Sequence, residues 1–365
     1  MIRIPLHVAV DGQGLARPAA GIGVYTQEMV AALRQSAEDS LITLWVEPSN
    51  AVGGSGTRTI PRARFLGRHV IWPRRLAHSG ANLFWGAAGQ LPLGRMAIPS
   101  VVTVHDLAIY RQPSWFPRGQ TLSVKLVVPR SLRRAQRLIA VSASTASDVV
   151  ELFGIDRGRI DVVHEGVGAA FRPLRREQLQ SFAQRYELPE HFLLFVGTIE
   201  PRKNLLTLLQ AWSQMRHRPP LVIAGGRGWR DEKIERHLER AGSLVRPLGA
   251  VRREDLPALY NLATCLTHPA WYEGFGLTVL EAMACGTPVV AANASSLPEV
   301  GGAAVRLVPP GDVQAWTGAL EEVCGDPQLQ QRMREGGLLR AAEFSWSRSA
   351  ERTLRIFRQL VRAAQ

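Results

Sequence analysis

Short apolar runs alternate with longer amphipathic segments along the whole chain. The runs are nearly continuous in Val, Ile and Leu, which predicts strands of parallel sheets that helices cover on both faces. The alternation predicts right-handed strand–helix–strand units. The predicted strands are Leu6–Val10, Ile42–Val46, Leu83–Trp85, Val101–Val104, Leu138–Val141, Ile160–Val163, Phe192–Val196, Leu221–Ala224, Leu244–Pro247, Cys265–His268, Val289–Ala292 and Val305–Val308. The predicted helices are residues 23–35, 118–136, 144–153, 176–186, 202–216, 230–241, 253–263, 277–285, 312–324, 327–341 and 345–363.

The strands form two sets, and the segment between them has the composition of a linker. Residues 166–173 read Gly-Val-Gly-Ala-Ala-Phe-Arg-Pro and lack periodicity. A chain of 365 residues has room for two domains. We therefore predict one α/β domain over residues 1–170 and a second over residues 171–344. Because ligands of open parallel sheets bind beyond the carboxyl ends of the strands, the chemistry is expected in the loops that follow them.

The chain is strongly basic, and arginine supplies nearly all of the positive charge. It has 44 Lys and Arg against 31 Asp and Glu, and Lys125, Lys203 and Lys233 are its three lysines. No acidic residue lies between Glu47 and Asp106. This acid-free stretch holds Arg58, Arg62, Arg64, Arg68, Arg74, Arg75 and Arg95. Such a patch attracts nucleic acid, anionic lipid or phosphorylated ligands, and the alternative is an ordinary solvated face.

Three widely spaced cysteines predict neither a disulfide framework nor a zinc site. Cys265 and Cys285 have apolar neighbours and are predicted to be buried; the third is Cys324. The N-terminal residues do not read as a signal peptide, and no apolar run reaches the roughly 18 residues of a membrane helix. We expect a cytoplasmic protein, with peripheral attachment to the inner face of the cytoplasmic membrane left open.

The densest chemical signal follows the predicted strand that ends at His268. It reads Glu273-Gly-Phe-Gly-Leu-Thr-Val-Leu-Glu281, and a helix is predicted to begin at Leu277. Free backbone N–H groups at a helix start favour an anion. Glu273 and Glu281 are spaced to bracket a ligand there, and carboxylates accept hydrogen bonds from sugar hydroxyls. The alternative is structural, because Thr278 and Glu281 also fit a capping box.

Residues 273–290 closely resemble the Glu-x7-Glu signature of the retaining glycosyltransferases of family 4. The resemblance implies the GT-B fold, with two Rossmann-like α/β domains whose parallel sheets face a central cleft. It implies an acceptor domain over residues 1–170, onto which the last helix, residues 345–365, packs back, and a donor domain over residues 171–344. It also implies transfer of a sugar from a nucleotide-sugar with retention at the anomeric carbon.

The same resemblance assigns roles within the signature. Glu273 is expected to contact the hydroxyls of the donor sugar, and Glu281 those of the ribose. The backbone between them is expected to bind sugar and phosphate. These donor-binding residues are Gly274, Phe275, Gly276, Leu277 and Thr278.

A second motif, Gly197 to Asn204, follows the first strand of the second domain. Arg202 and Lys203 are predicted in the first helical turn, where cations oppose the helix dipole unless an anion sits between them. The segment resembles the family's pyrophosphate-binding loop, which implies that both side chains neutralise the donor diphosphate. The alternative is a pair of surface cations on a helix.

In the first domain, Gly21 and Gly23 resemble the family's N-terminal glycine loop, although Val24 replaces a frequent arginine. The loop is expected to close over the donor phosphates or to help form the acceptor site, where Tyr25 is a candidate. His105 and Asp106 end another strand and resemble the family's Val-His-Asp segment. His105 is expected to orient the donor sugar as a catalytic residue. Asp106 is expected to bind the acceptor or to hold its loop.

Four further segments match the family. Ser144 or Thr145 is predicted to cap a helix. Val251 follows a strand of the second domain, where a nucleobase is expected. Glu299, in a Leu-Pro-Glu-Val turn, and the Phe344-Ser-Trp346 opening of the last helix are also family-like.

The sequence has no Asp-x-Asp motif and no cluster with metal-ligand spacing. We therefore expect no metal and no cofactor, with positive charge supplied by Arg202, Lys203 and helix N-termini. The expected mechanism is front-face transfer in which the departing phosphate helps to deprotonate the acceptor. Double displacement with Glu273 as the nucleophile is the alternative.

The motifs of the first domain look most like bacterial mannosyltransferases of O-antigen and exopolysaccharide assembly. GDP-mannose is therefore the expected donor, with GDP- or dTDP-rhamnose and UDP-glucose as alternatives. The expected acceptor is a glycan or a polyprenyl-diphosphate-linked glycan. The arginines from Arg58 to Arg95, with Trp72 as an interfacial residue beside the strand residue Trp85, are expected to favour an anionic membrane surface.

Two other classes fit the sequence poorly. A nicotinamide dehydrogenase would carry a Gly-x-Gly-x-x-Gly after its first strand. A nucleic-acid-binding protein would explain the charge of +13, but the basic segment has no recognised binding motif and only 7% of residues are aromatic.

Overall fold

The computed structural model describes residues 5–12, 15, 21–37, 39–46, 56–59, 67–117, 119, 121–229 and 232–364, without the side chains of 121–123, 176, 232 and 233. The chain forms two compact units. The first comprises Met1–Tyr110, Arg118–Gly166 and Ser345–Gln365, and the second comprises Arg111–Pro117 and Val167–Phe344.

The first unit is built on a seven-stranded sheet in the order β3-β2-β1-β4-β5-β6-β7. Every neighbouring pair is parallel. Parallel neighbours need crossover connections, and helical crossovers cover both faces of strands that are continuously apolar. The strands are β1 Leu6–Asp11, β2 Ser40–Val46, β3 Thr57–Thr59, β4 Leu83–Gly86, β5 Ser100–Val104, β6 Arg137–Ala140 and β7 Ile160–Val162.

The second unit has a six-stranded sheet, also parallel, in the order β10-β9-β8-β11-β12-β13. The strand order reverses between β8 and β11, which are neighbours in the sheet. The strands are β8 Leu193–Val196, β9 Leu221–Ala224, β10 Val245–Gly249, β11 Cys265–His268, β12 Val289–Ala292 and β13 Arg306–Val308.

The helices of the described residues follow the strands in alternation. In chain order they are α1 Gly21–Ser36, α2 Trp72–Ala77, α3 Ala108–Arg111, α4 Thr121–Arg134, α5 Ala143–Phe153, α6 Arg176–Arg185, α7 Leu205–Gln214, α8 Glu232–Ala241, α9 Leu256–Leu262, α10 Leu277–Ala284, α11 Leu297–Gly301, α12 Val313–Gly325, α13 Pro327–Ala341 and α14 Trp346–Ala363. In the part of the chain described, none is long and apolar enough to cross a membrane.

Aromatic side chains fill the core of the first unit. The Trp72 ring lies 6.2 Å from that of Trp45 and 5.2 Å from that of Phe84, and Trp72 is completely buried. The expectation that Trp72 is an interfacial residue is therefore wrong, because its ring is core. Trp85 is buried as predicted, and its ring contacts Phe357 of α14 at 5.7 Å.

Most predicted elements are present, and two local predictions are wrong. The cap of α5 is neither Ser144 nor Thr145: the side chain of Ser142 accepts a hydrogen bond from the backbone N–H of Thr145. The segment predicted as one helix from residue 202 begins instead as a 3-10 turn over Pro201–Lys203, and α7 follows at Leu205. Cys265 and Cys285 are buried as predicted.

Candidate functional site

The loops that follow β8 and β11 meet where the strand order of the second sheet reverses. Because β8 and β11 are parallel neighbours, residues 197–204 and 269–276 leave the sheet side by side at its carboxyl edge. This is the position at which open α/β sheets bind ligands. Both of the sequence motifs that predict donor binding in the second domain therefore converge on one place.

The β8 and β9 ends approach each other so closely that a side chain between them is excluded. A Cβ on Gly225 would lie 1.8 Å from the carbonyl oxygen of Gly197. Gly225 also donates its backbone N–H to Gly249. Glycine at position 225 lets the loop after β8 fold back over the strand ends.

Asn204 fastens the loop after β8 to the loop after β11. It adopts a left-handed backbone conformation, with φ of 55°. Its side-chain amide donates to the carbonyl oxygens of Pro269 at 3.0 Å and Pro310 at 2.6 Å, and its oxygen accepts from the Thr207 hydroxyl at 2.7 Å. These bonds hold the preceding residue, Lys203, against the second loop.

Glu273 is the centre of a buried charge cluster. Its carboxylate accepts from Lys203 Nζ at 2.5 Å, from Arg202 Nη1 at 3.3 Å and from His268 Nε2 at 3.1 Å. The guanidinium of Arg202 also pairs with Glu200 at 2.8 Å. Two cations and two carboxylates therefore balance one another in the structure. The sequence predicts an anion beside Arg202 and Lys203. In the structure the carboxylates of Glu200 and Glu273 supply this negative charge.

The surroundings shift the pKa values of Glu273 and His268 in the same direction for different reasons. Burial alone would raise the pKa of Glu273, but Lys203 and Arg202 outweigh it and hold that pKa well below its usual range. Burial lowers the pKa of His268, and the Glu273 carboxylate opposes this only in part. We infer a carboxylate that stays ionised beside a neutral imidazole, which donates through Nε2.

The loop after Glu273 leads directly into α10. Gly276 has φ of 106° and forms the N-cap without a side-chain cap bond. A Cβ there would lie 2.9 Å from the Leu297 side chain. The first N–H groups of an α-helix, here those of Leu277 and Thr278, have no acceptor within the helix. The capping-box alternative is wrong, because the N-cap is Gly276 and Glu281 lies one turn into the helix.

Glu281 is held by two residues from the segment that follows β10. Arg253 Nη1 lies 2.8 Å from one of its oxygens, and the Tyr260 hydroxyl donates to the other at 3.2 Å. Burial and the Glu281 carboxylate raise the pKa of Tyr260 well above its usual range, so Tyr260 is a donor. Val251 lies two residues before Arg253 and is half-buried. Arg253 therefore connects Glu281 to the segment that contains Val251.

His105 of the first unit directly follows β5 and has two polar neighbours. Its Nε2 lies 2.7 Å from the carbonyl oxygen of Ala87, and since a carbonyl only accepts, Nε2 carries the hydrogen. Its Nδ1 lies 3.7 Å from the buried carboxylate of Glu165. The Tyr25 ring meets the imidazole edge-on at 4.7 Å. These contacts fix the orientation of the His105 ring.

The remaining first-unit candidates differ in exposure. Tyr25 is completely buried, and its hydroxyl lies 3.2 Å from Thr103 Oγ1, so it supports His105 rather than presenting a hydroxyl to an acceptor. Asp106 is exposed and accepts from the Ala108 backbone at 3.2 Å, so it holds its own loop. Gly21 is exposed at the start of α1, and Gly23 is buried in it.

Several residues of these sites were missed by the sequence argument. They are Glu165, Glu200, Asn204, Arg253, Tyr260 and His268. A polar residue at the end of an apolar strand was the available signal for His268. Glu200 and Asn204 lie within the second motif, but only the fold shows what they bind. Glu165, Arg253 and Tyr260 are single polar residues in loops or on helices, and only the fold brings them to the sites.

Two family models match the chain, one to each half. The model "Glycosyltransferase Family 4" matches residues 19–171, and "Glycosyl transferases group 1" matches residues 177–340. The O-antigen chain mannosyltransferase B of Escherichia coli is 34% identical over 268 residues, which are 72% of this chain and 70% of that protein. The serotype-specific mannosyltransferase WbdA of Escherichia coli is 34% identical over 64% of this chain, which spans only 30% of that protein.

The fold is shared with solved glycosyltransferase structures. Sucrose-phosphate synthase from Thermosynechococcus elongatus superimposes with a TM-score of 0.80 at 23% identity, covering 98% of this chain and 100% of that one. Two α/β units with parallel sheets, as in that structure, define the GT-B fold. The chain belongs to glycosyltransferase family 4.

Proposed function

We propose that the protein is a retaining, metal-independent α-mannosyltransferase that uses GDP-mannose and extends a glycan or lipid-linked glycan of a cell-surface polysaccharide. The observation that supports the site is the cluster of Glu273 with Lys203 and Arg202 at the carboxyl edge of the second sheet. The mannosyltransferase names of two relatives that are 34% identical support the sugar.

The charge balance of the cluster suggests how a donor is accepted. Without donor, Glu273 is the counter-ion of Lys203 and Arg202. We propose that the donor diphosphate takes over the two cations, which releases the Glu273 carboxylate to accept hydrogen bonds from the sugar hydroxyls. The cations then stabilise the negative charge that develops on the departing nucleotide.

In this mechanism the departing phosphate helps to deprotonate the acceptor, and transfer takes place on the front face of the sugar. Glu273 stays on the hydroxyl side of the ring. A glycosyl adduct of Glu273 trapped in intact-protein mass spectrometry would instead establish double displacement.

A donor panel tests the proposal. Nucleotide release is measured with GDP-mannose, GDP-rhamnose, dTDP-rhamnose and UDP-glucose, each with and without EDTA. We expect the fastest release from GDP-mannose, unchanged by EDTA, and an α-linked product by NMR. Release from UDP-glucose alone would overturn the mannosyl assignment.

Glu281→Gln is expected to weaken GDP binding by about tenfold, because a charge-assisted hydrogen bond to the ribose would be replaced by a neutral one. Isothermal titration with GDP measures the change. Glu322→Gln is the matched control, since Glu322 is 48% exposed and pairs with Arg306 on the surface. An unchanged Kd in Glu281→Gln would remove the ribose role.

Glu165→Gln is expected to lower kcat by about 10- to 100-fold through misplacement of His105. The KM for the donor should stay within about twofold, because a positioning residue acts on the reacting geometry more than on binding. Steady-state kinetics separate the two constants. Glu351→Gln, an exposed position on α14, is the control. A raised KM with normal kcat would contradict the positioning role.

We also propose that the first unit attaches to anionic membranes. Arg74, Arg75 and Arg95 are exposed, and Val70 beside them is 37% exposed. Arg68 instead pairs with Asp11 at 3.0 Å, and Arg62 and Arg64 lie outside the described residues. We expect binding to liposomes that rises with anionic lipid and weakens with salt. Equal recovery in the soluble fraction with and without liposomes would refute it.

A further inference from the structure

A groove lies at the opposite edge of the second sheet from the cluster around Glu273. Residues that precede four of its strands line it: His191 before β8, Pro219 before β9, Leu244 before β10 and Thr264 before β11. Its volume is about 940 Å³, within the range of small-molecule binding sites. The amino ends of the strands and the helix α13 form its walls.

Among the residues that the structure describes, the lining of this groove is basic and contains no acidic residue. It includes Arg216, His217, Arg218 and Arg334. Among the described residues, no carboxylate lies within salt-bridge distance of the three guanidinium groups. Glu321 is close, but its carboxylate accepts from the backbone N–H of Arg216 at 2.7 Å. In the part of the chain that the structure describes, the three guanidinium groups therefore line the groove without a carboxylate in direct contact with them.

Two of the arginines are held in place by packing. The guanidinium of Arg218 lies over the ring of the buried Trp212, 5.7 Å from its centre, and the indole N–H of Trp212 donates to Pro219 at 2.8 Å. Arg334 packs against Gly286, where a Cβ would lie 3.3 Å from Nη1. Ordered cations lose less conformational freedom when they bind an anion.

The rest of the lining fits a soluble ligand with a flat or apolar part. Leu244 is 37% exposed, and Leu262 and Ala263 continue this apolar surface. Asn261 and Gln330 also line the groove, but their amide N–H groups donate to protein carbonyls, those of Asn261 to Arg172 and Pro257 and that of Gln330 to Val323. A small apolar surface beside cations fits a ring better than acyl chains.

We propose that this groove binds a soluble phosphate ester with at least two negative charges and a ring, such as a nucleoside diphosphate, at a site separate from the donor site. The phosphates contact Arg216 and Arg218, and the ring lies on the surface at Leu244 and Leu262. Such a site would let a nucleotide bind the second unit away from its carboxyl edge.

Cys324 offers a reporter inside the groove. It lines the groove and is partly exposed, whereas Cys265 and Cys285 are buried. Burial raises the pKa of Cys324 to about 11, and its labelling with N-ethylmaleimide is followed at pH 8.5. Labelling of the full chain is measured by mass spectrometry with increasing GDP, inorganic pyrophosphate, sulfate or phosphatidylglycerol vesicles.

We expect GDP and pyrophosphate to slow the labelling of Cys324 in a saturable manner, and sulfate at the same concentration to leave it unchanged. In the double variant Arg216→Gln/Arg218→Gln the half-protecting concentration should rise at least about tenfold. Arg352→Gln/Arg355→Gln removes the same charge from exposed positions on α14. In this control variant GDP and pyrophosphate should protect Cys324 as they do in the wild type.

Donor turnover is measured in parallel, so that failure of this inference is distinguished from failure of the transferase assignment. The double variant should keep wild-type turnover. Absence of protection by GDP and pyrophosphate, equal protection in the double variant, or protection by vesicles alone would each overturn the proposal.

Discussion

The Glu273→Gln variant is expected to lose about 100- to 1000-fold in kcat/KM for the donor, a loss comparable to that of a preorganised group that stabilises the transition state. Glutamine keeps the shape of the side chain but removes the charge that Lys203, Arg202 and His268 surround. Once the diphosphate has paired with Lys203 and Arg202, the Glu273 carboxylate is a strong acceptor for the sugar hydroxyls. The neutral amide of glutamine is a weaker one. Steady-state nucleotide release measures the loss.

The same substitution is expected to cost about 3–5 kcal/mol of unfolding free energy, because it leaves the largely buried Lys203 without its carboxylate and Arg202 with Glu200 alone. The pKa of Glu273 is held below its unfolded value, so its ion pairs stabilise the fold above the ordinary carboxyl range and lose this effect as the pH falls through the folded pKa. Glu273→Gln should therefore flatten the acid side of the stability profile.

The kinetic comparison is made at a temperature where both proteins are folded by circular dichroism. Glu322→Gln, a surface carboxylate of the same unit, should retain full activity and stability. Wild-type kcat/KM in folded Glu273→Gln would remove Glu273 from the mechanism.

Lys203→Met is expected to lower kcat/KM for the donor by about 100-fold or more, with both a higher KM and a lower kcat. The Lys203 side chain is 13% exposed, and its ammonium group contacts the Glu273 carboxylate at the place where we expect the diphosphate. Methionine keeps the length of the side chain and removes the charge. Glu273 then keeps Arg202 as its cation, so the diphosphate would have to compete for a single guanidinium.

Lys125→Met is the matched control, because Lys125 is exposed on α4. It removes the same charge and should leave both kinetic constants unchanged. If Lys203→Met changes kcat/KM by less than about threefold while remaining folded, the lysine does not bind the diphosphate.

The parallel sheets could be read from the sequence because strands covered on both faces are nearly continuous runs of Val, Ile and Leu. Each predicted strand overlaps an observed one. The edge strand Thr57–Thr59 was missed, since three polar residues carry no apolar pattern. Short helices such as Trp72–Ala77 and Leu297–Gly301 were missed because they are too brief for a helical period.

The candidate site was predictable only where its residues lie in motifs. The segment around Glu273 and the loop with Lys203 were recognised separately, but their ion pair joins residues 70 positions apart. His268 completes the cluster as one buried polar residue at the end of β11. Glu165 contacts His105 from a position 60 residues away. The order of the strands in the sheet brings such partners together. The hydrophobic periodicity of the sequence does not predict that order.

One measurement tests the central claim most directly: the initial rate of GDP release from GDP-mannose by the wild type and by folded Glu273→Gln, assayed side by side with a lipid-linked glycan acceptor. We predict rapid release by the wild type and a loss of about 100-fold or more in the variant. Equal rates in the two proteins, or no release by the wild type while another donor is turned over, would contradict the account.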